Sequence, residues 1–221
     1  MKDSVRTAAV YDFMMRALDR LIIKGWRKQL WAGARGPEIL EVGVGTGLNT
    51  DFYKDEFKIT GLDKNRSFLE TARRRAEQKG KTAEFMLGDI EKLPFAANSF
   101  DTALSTFLFC QLETPELGMA ELNRVLKPGG QLLLLEHVRT QGLSGRILEA
   151  ISGPLYKLTG DHIARNTEET AAKAGFVNIS SKSLFTRGVK IISAEKKQNF
   201  GTPKISGHND NYYYGQICFP R

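Results

Sequence analysis

Short apolar runs alternate along the chain with longer amphipathic patterns, and this alternation limits the fold more than any other feature. Helical patterns separate the runs, and two of them, "NRSFLETARRRAEQKG" and "TPELGMAELNRVLKPGG", are closed by glycine. The order predicts an α/β fold with a doubly wound, mostly parallel sheet that is covered on both faces. The runs with the length and composition of buried strands are "PEILEVGVG", "KITGLD", "AEFMLGD", "FDTALSTFLF" and "GQLLLLEHV".

The pattern changes after the fifth run. "EETAAKAGF" indicates a helix with its cap at Asn166 or Thr167, and "VNISSKSLF" and "VKIISAEKK" indicate two strands separated only by "TRG". Strands joined by so short a connection pair antiparallel. The sheet is therefore expected to contain one antiparallel strand.

A glycine-rich loop follows the first predicted strand. Glu41 closes the strand, and Gly43, Gly45 and Gly47 follow at alternate positions. A dinucleotide-binding fingerprint requires glycine where this chain has Leu48. Glycines let a ligand approach the backbone closely, and the acid before them is better tolerated by a cationic ligand than by a pyrophosphate.

Acidic residues end the next two strands as well. Asp63 lies 22 residues after Glu41, where a carboxylate can accept hydrogen bonds from both hydroxyls of a ribose. Asp89 can accept from an exocyclic amine, and Ile90 offers an apolar face to a planar base. Three acids in order at consecutive strand ends predict a ligand with a ribose and a base.

From about Ile39 to Lys196 the chain resembles the class I S-adenosylmethionine-dependent methyltransferases, through "ILEVGVGTGLN", "GLDKNRSFLETAR", "GDIEKLPFAANSFDTALSTF" and "ELNRVLKPGGQLLLLEH". The resemblance implies a seven-stranded, Rossmann-like sheet and S-adenosylmethionine as cofactor. "EVGVGTGL" and "EHV" are most similar to bacterial phosphatidylethanolamine N-methyltransferases and quinone C-methyltransferases. The expected reaction is methyl transfer to a hydrophobic small molecule or lipid head group, with a quinone or a small thiol as the alternative acceptor.

The resemblance also implies roles for individual residues. The three loop glycines approach the methionine part of the cofactor, with Glu41 beside them, either in contact or holding the loop through backbone amides. Tyr11 resembles a tyrosine that folds over the cofactor, although an aromatic core contact is the alternative. The remaining expected cofactor contacts are Asp63 with the ribose, Lys64 and Ile90 with adenine, Asp89 with its amino group, and Thr106 along the channel to the methyl group.

Methyl transfer from a sulfonium needs mainly an aligned acceptor and a site without water, so a base is needed only for a protonated acceptor. His137, at the end of the fifth strand, is the candidate catalytic residue, with a structural role as the alternative. Asp161 and His162 are weaker candidates for the same pocket. The three histidines lack metal-ligand spacing, so no metal is expected, and Cys110 is interpreted as a small apolar residue.

Positive charge is concentrated at the N-terminus. The net charge is +7, and residues 1–35 hold eight Lys and Arg against three Asp. "YDFMMRALDRLIIKGWRKQLW" predicts an amphipathic helix that lies on a membrane surface or packs on the core with a solvated basic face. A nucleic-acid partner is not expected, because "STFLFC" replaces the Asn/Asp-Pro-Pro-aromatic loop of base methyltransferases. A non-catalytic cofactor-binding protein is a further alternative.

Three regions are expected along the chain: an N-terminal helical segment covering the site (1–35), a methyltransferase domain (36–197) with an apolar lid insertion at about 140–165, and an irregular tail (198–221). The two cysteines, Cys110 and Cys218, are too few and too far apart in sequence to predict a disulfide framework. The sequence shows neither a bilayer-length apolar run nor a secretion signal. These features predict a cytoplasmic protein, with peripheral membrane contact through the N-terminal helix left open.

Overall fold

The computed structural model describes residues 23–138, 165–184 and 188–198. They form a seven-stranded sheet with the strand order β3-β2-β1-β4-β5-β7-β6. The first five strands pair in parallel, and β7 is antiparallel to both β5 and β6, which confirms the predicted fold. The strands are β1 (Glu38–Val42), β2 (Lys58–Asp63), β3 (Glu84–Leu87), β4 (Phe100–Thr106), β5 (Leu126–His137), β6 (Phe176–Ser183) and β7 (Val189–Lys196).

Helices cover both faces of the sheet. Side chains alternate along the strands, so neighbours such as Leu132 and Leu133 belong to two different apolar cores. One core packs α1 and α2 against the sheet, and the other packs α3 and α4. The helices are α1 (Lys24–Ala32), α2 (Arg66–Gln78), α3 (Pro115–Val125) and α4 (Thr167–Lys173), with a 3₁₀ turn at Leu48–Phe52.

The caps of α2 and α4 follow from local sequence. Asn65 precedes α2, and its side-chain oxygen accepts hydrogen bonds from the backbone N–H groups of Ser67 (3.0 Å) and Phe68 (3.3 Å). Asn166 accepts from the N–H of Glu169 at 3.3 Å, so of the two predicted caps of α4 it is Asn166 that is used. Both helices therefore begin where the sequence predicts.

The helix α1 packs on the core. Leu30 and Trp31 are each 1% exposed, whereas Lys24 and Lys28 face solvent. For the residues Lys24–Ala32 this supports the alternative in which the helix packs on the core. One difference is that Arg27, expected on the basic face, is buried. Within the described part of the chain, no helix is long and apolar enough to cross a bilayer.

Two predicted boundaries were wrong. The fourth strand was expected to continue to Phe109 but ends at Thr106, because Phe107 has a φ of +54° that no strand accommodates. Helix α3 ends at Val125 rather than at its glycine pair. Gly129, with a φ of +76°, instead lies within β5, where the pairing with β4 is irregular.

Several predictions concern residues outside the described ranges. Tyr11, Asp161 and His162 lie there, as do Cys218, the first 22 residues, residues 140–164 of the predicted lid and all of the predicted tail after Gln198.

Gly47 is required where the glycine loop meets α2. Its φ is +79°, and a Cβ placed there would lie 2.8 Å from Ala72 Cα. We expect Gly47→Ala to lower the free energy of unfolding by about 2–5 kcal/mol, from left-handed backbone strain and overpacking together. Denaturant unfolding followed by circular dichroism measures this loss.

Gly80→Ala is the matched control, because Gly80 has a φ of +62° but no heavy atom within 4 Å of the added Cβ. It carries the backbone strain alone, about 1–2 kcal/mol. Equal losses in the two variants would show that contact with α2 is not the reason for glycine at position 47.

Candidate functional site

A cavity of about 190 Å³ opens at the carboxyl ends of β1, β2 and β4. The order of the strands reverses here, because β2 and β4 lie on opposite sides of β1. Ligands of open α/β sheets bind at this position. The lining residues are Gly43, Gly45, Leu62, Asp63, Lys64, Asn65, Phe68, Gly88, Asp89, Ile90, Thr106, Phe107, Leu108, Gln111 and Leu112.

Asp63 connects the glycine loop to the end of β2. Its Oδ2 accepts a hydrogen bond from the N–H of Gly45 and its Oδ1 accepts from the N–H of Asn65, both at 2.8 Å. Burial raises the pKa of Asp63, although these backbone hydrogen bonds oppose the rise. Each carboxylate oxygen has a further lone pair, so Asp63 can still accept from a diol in the cavity.

The remaining predicted positions at this edge also meet in the cavity. Ile90 is buried, whereas Lys64 and Asp89 are exposed at the rim. Asp89 accepts a hydrogen bond from the N–H of Glu91 at 2.9 Å, which fixes its carboxylate after β3. Thr106 lines the cavity at the end of β4. Apolar and acidic groups therefore border the same space, as a ligand with a base and a ribose requires.

Two of the described residues predicted to bind cofactor, Glu41 and Gly47, do not line the cavity. Gly47 lies against Ala72 of α2, so its missing side chain makes room for a helix. Glu41 is 1% exposed, and its carboxylate faces the Asn49 and Tyr53 side chains. The cofactor role of Glu41 therefore stays a prediction, and the hydrogen bonds on its carboxylate come from side chains.

A buried polar network extends from Glu41 to both α1 and the cavity. Glu41 Oε1 accepts from Asn49 Nδ2 at 2.7 Å, and Oε2 accepts from the Tyr53 hydroxyl. Asn49 Oδ1 accepts from Arg27 Nη1 at 3.0 Å, and Asn49 Nδ2 also donates to Thr106 Oγ1 at 3.1 Å. The network explains why α1 carries a buried arginine and links that helix to the cavity wall.

His137 is not among the residues that line the cavity. Its ring stacks on Phe107, which does line it, with 4.6 Å between ring centroids and 28° between ring planes. The catalytic role of His137 stays a prediction. In the described ranges, no three His, Cys, Asp or Glu side chains lie close enough together to hold a metal ion.

The turn that follows β4 was not predicted from the sequence. Phe107, Leu108, Gln111 and Leu112 all line the cavity, but "STFLF" has the composition of a continuing strand. No periodicity identifies such a turn. Asn65 and Phe68 also line the cavity, although their sequence pattern predicts only the beginning of a helix.

The sheet order, the antiparallel β7 and the cavity at the strand-order reversal define a Rossmann-like α/β protein with a nucleotide-type cofactor site.

Comparison with known sequences gives the family. Residues 40–134 match the methyltransferase domain model. The chain is 31% identical over 152 residues to phosphatidylethanolamine N-methyltransferase of Cereibacter sphaeroides. The alignment covers 67% of this chain and 74% of that protein. It is 33% identical to the rat thiol S-methyltransferase TMT1B (64% of this chain, 60% of that protein). It is 30% identical to the ubiquinone/menaquinone C-methyltransferase UbiE of Paraburkholderia phytofirmans (73% and 69%).

Solved structures share the fold. A SAM-dependent methyltransferase from Thermotoga maritima superposes with a TM-score of 0.69 at 21% identity, covering 89% of this chain and all of that one. Haemonchus contortus phosphoethanolamine N-methyltransferase 2, solved with S-adenosyl-L-methionine, has a TM-score of 0.61 at 20% identity (77% and 52%). The chain belongs to the class I S-adenosylmethionine-dependent methyltransferases, and S-adenosylmethionine is its cofactor.

The burial of Glu41 makes stability depend on pH. Burial raises the pKa of Glu41 from 4.5 to about 7, against the opposing hydrogen bonds of Tyr53 and Asn49. Between these values the native state keeps a proton that the unfolded state has lost. The contribution to stability is therefore full below about pH 4.5 and is lost as the pH rises to about 7, a change of about 3 kcal/mol. Glu136 adds a similar decline, because burial also raises its pKa to about 7.

We expect Glu41→Gln to remove about half of the decline in stability between pH 5 and 8, because one of the two carboxyls whose pKa is raised to about 7 no longer titrates. Urea unfolding at several pH values measures the slope. Glu38→Gln, on the same strand but partly exposed, is the control and is expected to keep the wild-type slope. A wild-type slope in Glu41→Gln would contradict the assignment.

Proposed function

We propose that this methyltransferase transfers the methyl group of S-adenosylmethionine to a hydrophobic small molecule or lipid head group, such as a phospholipid amine. The observation that carries the proposal is the division of the cavity into two kinds of wall. Asp63 and Asp89 provide acceptors at one edge, whereas Phe107, Leu108 and Leu112 provide an apolar wall after β4. A polar cofactor and an apolar acceptor suit these two walls.

The residues at the polar edge are proposed to hold the cofactor. Asp63 would accept from the ribose hydroxyls, Asp89 from the adenine amino group, and Ile90 would pack on the adenine ring beside Lys64. Gly43 and Gly45 have φ values of +68° and +57°, so this loop presents backbone without side chains toward the methionine part. The bound cofactor supplies an electrophilic methyl group on a charged sulfur. The protein's part is to align the acceptor and exclude water.

The relatives support more than one acceptor. Proteins named for phospholipid amine, thiol and quinone methylation are all 30–33% identical to this chain. An apolar wall suits the quinone as well as the lipid, so quinone C-methylation is the second candidate and thiol methylation the third. The division into an N-terminal helical cover (1–35), a methyltransferase domain (36–197) with an apolar lid at about 140–165, and a tail (198–221) stays a proposal, in which an apolar lid would suit an apolar acceptor.

Asp63→Ala tests the cofactor assignment. Loss of hydrogen bonds from two ribose hydroxyls to one carboxylate is expected to raise the Kd for S-adenosylhomocysteine by about 100-fold or more. Isothermal titration calorimetry measures it. Asp101→Ala is the control, because Asp101 also accepts from a backbone N–H, that of Glu38 at 3.0 Å, but at the opposite end of β4. Wild-type affinity in Asp63→Ala would refute the ribose role.

The acceptor is tested with pure protein, methyl-labelled S-adenosylmethionine and liposomes of total bacterial lipid. Organic extraction and mass identification of the labelled species give the product directly. Label on a phospholipid amine is expected, and Asp63→Ala is expected to abolish it. Label on a quinone would replace the preferred acceptor with the second candidate. Label confined to the aqueous phase would refute the lipid proposal.

A further inference from the structure

The turn after β4 has an unfavourable backbone conformation at the cavity wall. Phe107 adopts a φ of +54°, a region that bulky side chains rarely occupy and that costs about 1–3 kcal/mol. Its N–H donates to the carbonyl oxygen of Leu135 at 2.8 Å, and the next residue, Leu108, also lines the cavity. Such a conformation persists only where surrounding contacts enforce it.

The carboxyl of Glu136 provides those contacts. Glu136 is completely buried near the end of β5. Its Oε1 accepts hydrogen bonds from the backbone N–H groups of Leu108 (2.9 Å) and Phe109 (3.1 Å) and from the Ser105 hydroxyl (3.2 Å). These donors lie on both sides of Phe107, so one oxygen atom holds the chain before and after the strained residue.

The geometry of this turn reaches the glycine loop. A Cβ on Gly43 would lie 3.0 Å from both Cδ atoms of Leu108, so the Leu108 side chain packs directly on the loop backbone. The carbonyl of Leu108 accepts from the N–H of Gln111 at 2.9 Å, which continues the turn to the next lining residue. Moving Leu108 would therefore change two walls of the cavity together.

We propose that Glu136 is a positioning residue of the site: its carboxyl fixes the turn from Phe107 to Leu112 and thereby the shape of the cavity wall. Glu136 does not line the cavity and acts through Phe107 and Leu108. The inference rests on the proposed placement of the cofactor in this cavity.

Burying a carboxyl costs free energy, so the burial of Glu136 supports a positioning role that offsets this cost. Burial raises the pKa of Glu136 to about 7, and the hydrogen bonds from the turn and from Ser105 oppose the rise. Among the described residues, Oε2 has no hydrogen-bond partner. A group chosen for stability alone would be apolar here, since Leu134 on the same strand and Val138 just after the strand are buried in the apolar core.

The test compares three full-length variants by their affinity for S-adenosylhomocysteine. Glu136→Leu removes the acceptor and is expected to raise Kd by about tenfold or more. Glu136→Gln keeps an oxygen acceptor and is expected to restore Kd to within about threefold of wild type. Gln131→Leu removes another buried polar side chain from the middle of β5, and its Kd is expected to stay within about twofold of wild type.

Wild-type affinity in Glu136→Leu would overturn the proposal, and so would an equal loss in Gln131→Leu, which would indicate general destabilisation. Hydrogen exchange of the Leu108 and Phe109 amides provides a readout that does not require the leucine variant to fold. Strong protection in wild type is expected, and exchange as fast as in an open loop would also overturn the proposal. Unchanged binding in Asp63→Ala would refute the cofactor site itself, so the two failures are distinguishable.

Discussion

The site depends on one carboxylate that holds two loops at once. Asp63 accepts from Gly45 with one oxygen and from Asn65 with the other, so the glycine loop after β1 and the start of α2 are fixed to the same strand end. Burial opposes the charge, and the two backbone N–H donors offset that cost. A ligand that binds Asp63 meets a carboxylate already oriented by the fold, and little ordering remains to be done on binding.

Glu41 and Glu136 use the same principle at the ends of β1 and β5. Each is buried and held by hydrogen-bond donors from the segment that must be fixed: Asn49 and Tyr53 for Glu41, and the turn after β4 for Glu136. Neither lines the cavity. The carboxyl edge of the sheet therefore has acids of two kinds: Asp63 and Asp89 line the cavity, whereas Glu41 and Glu136 are buried behind it against the segments that surround it.

The difference between acids that line the cavity and acids that hold the segments around it explains which parts of the site could be predicted from the sequence. Strand and helix periodicity, glycine positions and strand-end acids predicted the sheet, the antiparallel strand, the Asn166 cap and most of the cavity lining at the ends of β1 to β3. Glu41 was grouped with the cofactor contacts through the family resemblance; its burial against Asn49 and Tyr53 is visible only in the three-dimensional structure. The turn at Phe107 was missed because its φ depends on Glu136, 29 residues further along the chain.

The cofactor can be predicted from sequence motifs but the acceptor cannot, for a physical reason. The cofactor has a ribose, a base and a charged sulfur, and each group requires a particular partner, so motifs record it. Methyl transfer to an acceptor that already has a lone pair requires alignment and exclusion of water, and neither demands a specific residue type. Selectivity for the apolar acceptor proposed for this protein would then reside in the shape of a wall rather than in a motif. In this protein the wall after β4 is built from Phe107, Leu108 and Leu112, and its shape follows from the carboxyl that holds the turn.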